Sequence, residues 1–122
     1  MSKKILIAED DNILAKAVNT ALTDEGFDTM VAIDGEDALL KVKEFKPDLM
    51  LLDLLMPKKS GEEVLAEMKK NDDLKDIPVL VSTVKSDTDS IARCTELGIR
   101  GYFIKAHYTL DEIVKEVRKV LK

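Results

Sequence analysis

Short apolar runs alternate with segments of helical spacing five times along this chain. Most of the runs are too continuously apolar for strands with one face in water, which is typical of strands buried in a parallel sheet. The runs cover residues 4–8, 27–33, 49–52, 77–82 and 100–104. We therefore predict five parallel β-strands whose two faces are covered.

The segments between and after these runs carry apolar residues at three- and four-residue spacing, as on one face of an amphipathic helix. The five faces comprise Leu14, Val18, Ala21 and Leu22; Ala38, Leu39, Val42 and Phe45; Val64, Leu65 and Met68; Ile91, Cys94 and Leu97; and Ile113, Val114, Val117, Val120 and Leu121. Five strand-helix units without a linker predict the α/β class, as one domain over residues 1–122. We expect a doubly wound, five-stranded parallel sheet with five helices on its two faces.

Capping residues mark the ends of the predicted helices. Three helix starts pair a hydroxyl with an acid three residues later, namely Ser60 with Glu63, Ser86 with Asp89, and Thr109 with Glu112. Gly26 and Gly98 stand where helices should end. Asp34 is predicted to cap the second helix, and Asp11 or Asn12 the first.

Composition and charge narrow the classes of function. The net charge is −5 and the basic residues are scattered, which argues against direct nucleic-acid binding. Cys94 is the single cysteine, so an internal disulfide is excluded and a core position is expected. Nothing at the start of the sequence resembles a signal peptide, no apolar stretch predicts a membrane span, and we expect a cytoplasmic protein. His107 is predicted to lie in an exposed loop.

Polar side chains follow the predicted strands at their carboxyl ends. They are Glu9, Asp10 and Asp11 after the first strand, Asp53 after the third, Thr83 after the fourth, and Lys105 after the fifth. Ligands of open parallel sheets bind at these ends, near the point where the strand order reverses. If the order is 2-1-3-4-5, Glu9, Asp10 and Asp53 converge there.

Three converging carboxylates repel one another unless a cation lies between them, and oxygen ligands of this kind suit Mg²⁺. Asp53 would then supply a nucleophilic oxygen for phosphoryl transfer, while Lys105 and Thr83 hold the phosphoryl oxygens. Other interpretations stay open. The acids after the first strand could instead form a solvated loop. Thr83 could be a plain strand-end hydroxyl, and Lys105 could be a surface lysine.

These motifs together are similar to a known family. The motifs are the acidic cluster, Asp-Leu-Leu-Met-Pro at 53–57 followed by Gly61, Thr83, and Gly-Tyr-Phe-Ile-Lys at 101–105. Over essentially its whole length the chain resembles the receiver domain of two-component response regulators, most of all the single-domain, chemotaxis-regulator type. The resemblance implies a flavodoxin-like sheet.

The resemblance also implies a set of roles. Asp53 would accept a phosphoryl group from a phosphohistidine on a sensor histidine kinase or a histidine phosphotransfer protein. Mg²⁺ would be bound by Asp10, Asp53 and the Leu55 carbonyl, with Glu9 acting mostly through water. Thr83 and Lys105 would hold the phosphoryl group. The protein would catalyse only its own phosphorylation and dephosphorylation.

A conformational switch is implied as well. Thr83 and Tyr102 would move together, with the Tyr102 ring turning inward. The face formed by the fourth helix, the fifth strand and the fifth helix would then change its affinity for a downstream protein. A homodimer is a further alternative for this face.

The chain departs from the family pattern at two positions. Ala106 replaces the usual proline after the lysine, and a cis peptide without proline costs about 3–4 kcal/mol, so we expect a trans loop over 105–109. Val84 replaces a small residue beside the phosphoryl pocket, which suggests slow phosphorylation or a long-lived phosphoryl state. Leu55 and Lys85 also flank the site and are expected to tune hydrolysis.

Three other functions are conceivable for a protein with this sequence pattern. A receiver-like scaffold for protein contacts without phosphorylation is the main alternative, and the complete set of site residues argues against it. A phosphatase similar to the haloacid dehalogenases needs an Asp where this chain has Leu55. A flavin-binding protein needs a phosphate loop after the first strand, where the acids would repel phosphate.

Overall fold

Five strands and five α-helices alternate along residues 2–122, the part of the chain that the computed structural model describes. The strands are β1 (Lys4–Ala8), β2 (Asp28–Ala32), β3 (Leu49–Leu52), β4 (Val79–Thr83) and β5 (Gly101–Ile104). The helices are α1 (Asn12–Asp24), α2 (Gly35–Phe45), α3 (Gly61–Lys69), α4 (Thr88–Leu97) and α5 (Leu110–Leu121), and a short 3₁₀-helix (Lys105–His107) follows β5. The predicted α/β class is confirmed.

All neighbouring strands are parallel, and the sheet order is β2-β1-β3-β4-β5, as predicted. The neighbouring strands β1 and β3 are paired so that Ala8 lies opposite Leu52. The next residue of each strand, Glu9 and Asp53, therefore leaves the sheet at the same level. The Asp53 N–H donates to the Ala8 carbonyl at 3.0 Å, which holds the two strand ends together.

Side chains alternate between two cores, one on each face of the sheet. Leu6, Met50 and Leu52 point to the core that includes residues of α2, α3 and α4. Ile5 and Leu51 point to the core that includes residues of α1 and α5. Because both faces are covered, β3 is apolar at every position and β1 is apolar after its first residue, which is what the sequence pattern predicted.

β1 and β3 match the predicted runs, and the boundaries of the other three strands differ from the predicted runs by one or two residues. β2 is shorter than the run 27–33, and Ile33 is exposed beyond its end. β4 begins only at Val79 but continues to Thr83, and β5 begins at Gly101. β2 is an edge strand, so its residues are less buried than those of the central strands.

Two of the three predicted hydroxyl caps are confirmed. Ser60 and Thr109 each form a reciprocal capping box with the acid three residues later. The prediction for Ser86 was wrong. Asp87 caps α4 instead, because its carboxylate accepts from the Ser90 N–H at 2.9 Å and the helix therefore begins one residue later.

The other predicted helix ends agree with the structure. Asp11 caps α1 by accepting from two backbone N–H groups, and Asp34 caps α2. Gly26 and Gly98 follow α1 and α4 with φ angles of 91° and 100°, a conformation that favours glycine. Cys94 is fully buried, as expected for a core residue. Across residues 2–122, none of the helices combines the length and apolar character needed to cross a bilayer.

Candidate functional site

Three carboxylates meet beyond the carboxyl ends of β1 and β3. Glu9, Asp10 and Asp53 each offer a carboxylate oxygen, and these oxygens lie within 4.8 Å of one another. Glu9 and Asp53 are buried, with 6% and 5% of their surface exposed, whereas Asp10 is open to solvent. The structure thus brings together the three acids that the sequence predicted to converge.

Lys105 reaches this cluster from the end of β5. Its Nζ lies 3.1 Å from Asp53 Oδ2 and 2.5 Å from Glu9 Oε1. The three carboxylates and the one ammonium leave a formal excess of two negative charges at the site. An open, oxygen-rich site with this charge fits one Mg²⁺ ion, which prefers a few carboxylates together with water.

Burial and pairing shift the ionisation of two of these groups. Burial raises the pKa of Glu9, and the nearby Asp53 charge adds to this, although the hydrogen bond from Lys105 acts in the opposite direction. Burial by itself lowers the pKa of Lys105, but its hydrogen bonds and charge interactions with Glu9 and Asp53 outweigh burial, and the pKa is raised. Lys105 therefore stays charged at neutral pH.

The loop after β3 is fixed tightly behind Asp53. The Leu55 N–H donates to Asp53 Oδ1 at 3.1 Å, so the second carboxylate oxygen is also bonded. Gly61, the first residue of α3, packs directly on this turn, because an added Cβ would lie 2.2 Å from the Asp53 carbonyl oxygen. A side chain at this position would push α3 away from the carboxylate.

The Lys85 backbone joins Thr83 to Tyr102. Thr83 is buried at the end of β4, and its Oγ1 accepts from the Lys85 N–H at 3.3 Å. Tyr102 on β5 is partly buried, and its hydroxyl donates to the Lys85 carbonyl at 2.8 Å. Burial raises the pKa of Tyr102 to about 12, so the hydroxyl is a donor at neutral pH.

The remaining residues that the sequence singled out near the site are exposed. Leu55 and Val84 are exposed, with 47% and 61% of their surface accessible. Ala106 lies in the 3₁₀-helix, and no cis peptide bond occurs within residues 2–122, so the expected trans loop is confirmed. His107 is exposed, as predicted.

Glu62 and its partner Arg93 lie close to the site and were missed in the sequence. Glu62 accepts hydrogen bonds from Lys85 and Arg93, at 3.2 Å from Lys85 Nζ and 2.8 Å from Arg93 Nε. Glu62 lies within the first turn of α3, where an acid is expected simply because it interacts favourably with the helix dipole. No local signal distinguishes it from Glu63, which belongs to the capping box.

Fold and site together define a doubly wound α/β domain with an acidic pocket where the strand order reverses. The model of the response regulator receiver domain family matches residues 5–118. The chain belongs to this family, as its motifs indicated.

Curated relatives extend the comparison. The chain is 36% identical over 122 residues to the DNA-binding response regulator MtrA of Mycobacterium tuberculosis, covering all of this chain and 52% of the relative. It is 37% identical over 105 residues to the probable transcriptional regulator ycf29 of Pyropia yezoensis, covering 86% of this chain and 47% of that protein. The chain thus spans about half the length of the curated relatives it matches.

Solved structures agree on the fold. The receiver domain of the Francisella response regulator 1452 superposes with a TM-score of 0.89 at 27% identity, covering 98% of this chain and 97% of that one. Chemotaxis protein CheY4 of Vibrio cholerae superposes with a TM-score of 0.91 at 24% identity, covering 99% and 100% of the two chains. At that identity the second likeness shows the shared fold alone.

Proposed function

We propose that this receiver domain is a phosphorylatable signalling switch and that Asp53 is its phosphoacceptor. The observation that carries the proposal is the buried Asp53 carboxylate, which lies within 4.8 Å of two further carboxylates and 3.1 Å from the Lys105 ammonium. The donor would be a phosphohistidine of a sensor histidine kinase or a histidine phosphotransfer protein. The domain would span residues 1–122.

The transfer forms one bond and breaks another. An Asp53 carboxylate oxygen attacks the phosphorus atom, and the bond between phosphorus and the donor imidazole nitrogen breaks. The imidazole keeps the electron pair of that bond and takes a proton from solvent. Hydrolysis later transfers the phosphoryl group from Asp53 to water and regenerates the carboxylate.

Glu9, Asp10, Asp53 and the Leu55 carbonyl are the groups that would hold Mg²⁺. When bound, the ion supplies positive charge that lowers the repulsion between the carboxylates and the incoming phosphoryl oxygens. The excess of two negative charges at the site supports this role. Lys105 would exchange its bond with Asp53 for one with a phosphoryl oxygen, and the Thr83 hydroxyl would donate to another.

Tyr102 and Thr83 would carry the signal to the surface. Both hydroxyls bond to the backbone of Lys85, so a Thr83 hydroxyl drawn towards a phosphoryl group changes the surroundings of Tyr102. The face formed by α4, β5 and α5 would then change its affinity for a downstream protein or a second copy of this chain. Direct contact with nucleic acid is not part of this proposal, and we place the protein in the cytoplasm.

The decisive experiment is intact-mass measurement after incubation with Mg²⁺ and phosphoramidate or acetyl phosphate. We expect a gain of one phosphoryl group in the parent protein and none in Asp53→Asn. Asp72→Asn is a matched control, because Asp72 is an exposed carboxylate in the loop before β4, at the opposite end of the sheet. A parent protein that gains no mass would instead support the scaffold that is not phosphorylated.

Val84, Leu55 and Lys85 are proposed to tune the lifetime of the phosphoryl group. Val84 presents an exposed, branched side chain next to Thr83, where it would hinder the approach of water. We expect Val84→Ala to shorten the lifetime of phosphorylated Asp53 severalfold, measured as loss of the added mass with time. A parent lifetime of seconds would count against this role.

A further inference from the structure

One carboxylate holds two cations on different elements. Glu62 Oε1 lies 3.2 Å from Lys85 Nζ in the segment between β4 and α4, and Glu62 Oε2 lies 2.5 Å from a terminal nitrogen of Arg93 on α4. The Glu62 and Lys85 side chains are only 17% and 25% exposed, so water screens their attraction less than that of a surface pair. Glu62 thus ties α3 both to the segment between β4 and α4 and to α4 itself.

Lys85 is also the residue that both switch hydroxyls touch. Its N–H donates to Thr83 Oγ1, and its carbonyl accepts from the Tyr102 hydroxyl at 2.8 Å. Tyr102 is in its inward arrangement when its hydroxyl makes this bond with the Lys85 carbonyl. The stability of the inward arrangement therefore depends on any group that holds the Lys85 backbone in position.

We propose that Glu62 is a positioning residue of the switch, which holds Lys85 and α4 in place so that Tyr102 is inward before phosphorylation. The inference rests on the proposed function of Thr83 and Tyr102 as the switch pair. It adds to that pair a third residue, Glu62, which lies outside the phosphoryl pocket. The unphosphorylated protein would accordingly be biased towards the signalling arrangement, with phosphorylation completing a change that Glu62 has prepared.

Charge balance explains why Glu62 has this effect. With Glu62 present, each of the two cations faces a carboxylate at hydrogen-bonding distance. Without it, Lys85 and Arg93 retain two like charges on neighbouring segments, and their repulsion favours separation. Separation moves the Lys85 carbonyl, and the partly buried Tyr102 hydroxyl loses the acceptor that satisfies it.

Tyrosine fluorescence can report the position of Tyr102 directly. The sequence contains no tryptophan and two tyrosines, so Tyr108→Phe leaves Tyr102 as the single tyrosine, whose emission dominates the weak phenylalanine fluorescence. In this background, without any phosphodonor, we expect Glu62→Ala to raise the ratio of outward to inward Tyr102 about fivefold, equivalent to about 1 kcal/mol. The readout is stronger quenching of Tyr102 by acrylamide.

Matched variants separate positioning from general loosening of the helix. Glu67→Ala removes another ion pair of α3, the one with Lys59, and should leave the quenching of Tyr102 unchanged. Lys85→Met removes the arm that Glu62 holds and should act in the same direction as Glu62→Ala. Glu62→Gln keeps the side-chain size without the charge, should give an intermediate effect, and replaces Glu62→Ala if that variant does not fold.

The same samples then show whether the switch itself is correct. After phosphorylation with phosphoramidate and Mg²⁺, we expect a small further decrease of quenching in the parent and a larger decrease in Glu62→Ala. Quenching in unphosphorylated Glu62→Ala, or in its Gln substitute, that equals the Glu67→Ala control overturns the role of Glu62. Absence of phosphorylation overturns the proposed function alone, since the unphosphorylated comparison still decides whether Glu62 positions Tyr102.

Discussion

Lys105 contacts two buried carboxylates at once, and this makes it the residue on which the charge balance of the site depends. Its ammonium lies within hydrogen-bonding distance of Glu9 and Asp53, which come from different strands. Without metal, Lys105 is the cation within hydrogen-bonding distance of both buried acids, as far as residues 2–122 show. Removal of the Lys105 charge should therefore lower the free energy of unfolding more than removal of an exposed lysine.

We expect Lys105→Met to lower the free energy of unfolding by about 1–3 kcal/mol in the absence of divalent cations. A full buried pair costs more when broken, but the exposed edge of this site lets water reach the acids. Mg²⁺ should restore more stability in the variant than it adds to the parent, because the cation then has no competing ammonium. Urea unfolding with and without Mg²⁺ measures both effects.

Lys58→Met is the matched control for this prediction. Lys58 also approaches an acid, with its Nζ 3.6 Å from Asp34 Oδ2, but its side chain is 59% exposed. We expect Lys58→Met to change the free energy of unfolding only slightly, by an amount that does not depend on Mg²⁺. Equal effects of the two substitutions would contradict the central position of Lys105.

Helix caps are the features by which single elements respond to pH. The carboxylates of Asp34 and Asp87 accept backbone N–H groups at the starts of α2 and α4, and Glu112 does so in the capping box of α5. These backbone hydrogen bonds favour the charged form and lower the pKa of each carboxyl in the folded state. Protonation therefore weakens the helix starts.

The direction of the pH dependence follows from the lowered pKa values. A carboxyl whose folded pKa lies below its unfolded value of about 4 contributes stability above that value, and this stability is lost as pH falls through the folded pKa. We expect the unfolding temperature to fall as the pH decreases below about 4. Asp87→Asn keeps an acceptor that does not titrate, so thermal unfolding of this variant should depend less on pH than that of Asp72→Asn.

The domain has a single sheet with both faces covered, so we expect it to unfold as one unit. A ligand bound at the strand ends should therefore stabilise the whole domain. The acids of the site directly follow strands β1 and β3, and these strands also supply residues of both cores. Binding there stabilises the folded state, because Asp53 is distant in sequence from Glu9 and Asp10 and joins them only when the sheet forms.

We expect Mg²⁺ at tenfold its dissociation constant to stabilise the parent by about 1.4 kcal/mol. For a domain of this size that is about 4–6 °C in unfolding temperature. Asp10→Asn should lose most of the shift, while Asp72→Asn should keep it. Calorimetry measures the unfolding temperatures. A Mg²⁺-induced shift of the same size in Asp10→Asn would show that Mg²⁺ binds elsewhere.

Much of the fold and part of the site could be read from particular residues. Leu49 to Leu52 are apolar at every position because both faces of β3 are buried, and that pattern needs no knowledge of neighbours. Asp53 stood out because a carboxylate directly after such a run needs partners. The start of α4 was misplaced, since Ser86 and Asp87 are both good caps and only the backbone geometry selects one of them.

Local patterns determined the elements of this protein, because the spacing of apolar residues records which side of a strand or helix is buried. They also determined which strand ends carry reactive groups. The tertiary structure decided which charges pair. With 24 acidic and 19 basic residues, the sequence allows many partners for each charge. Lys105 meets Glu9 from 96 residues away, and Arg93 meets Glu62 from 31, only because the order of the strands brings their elements together.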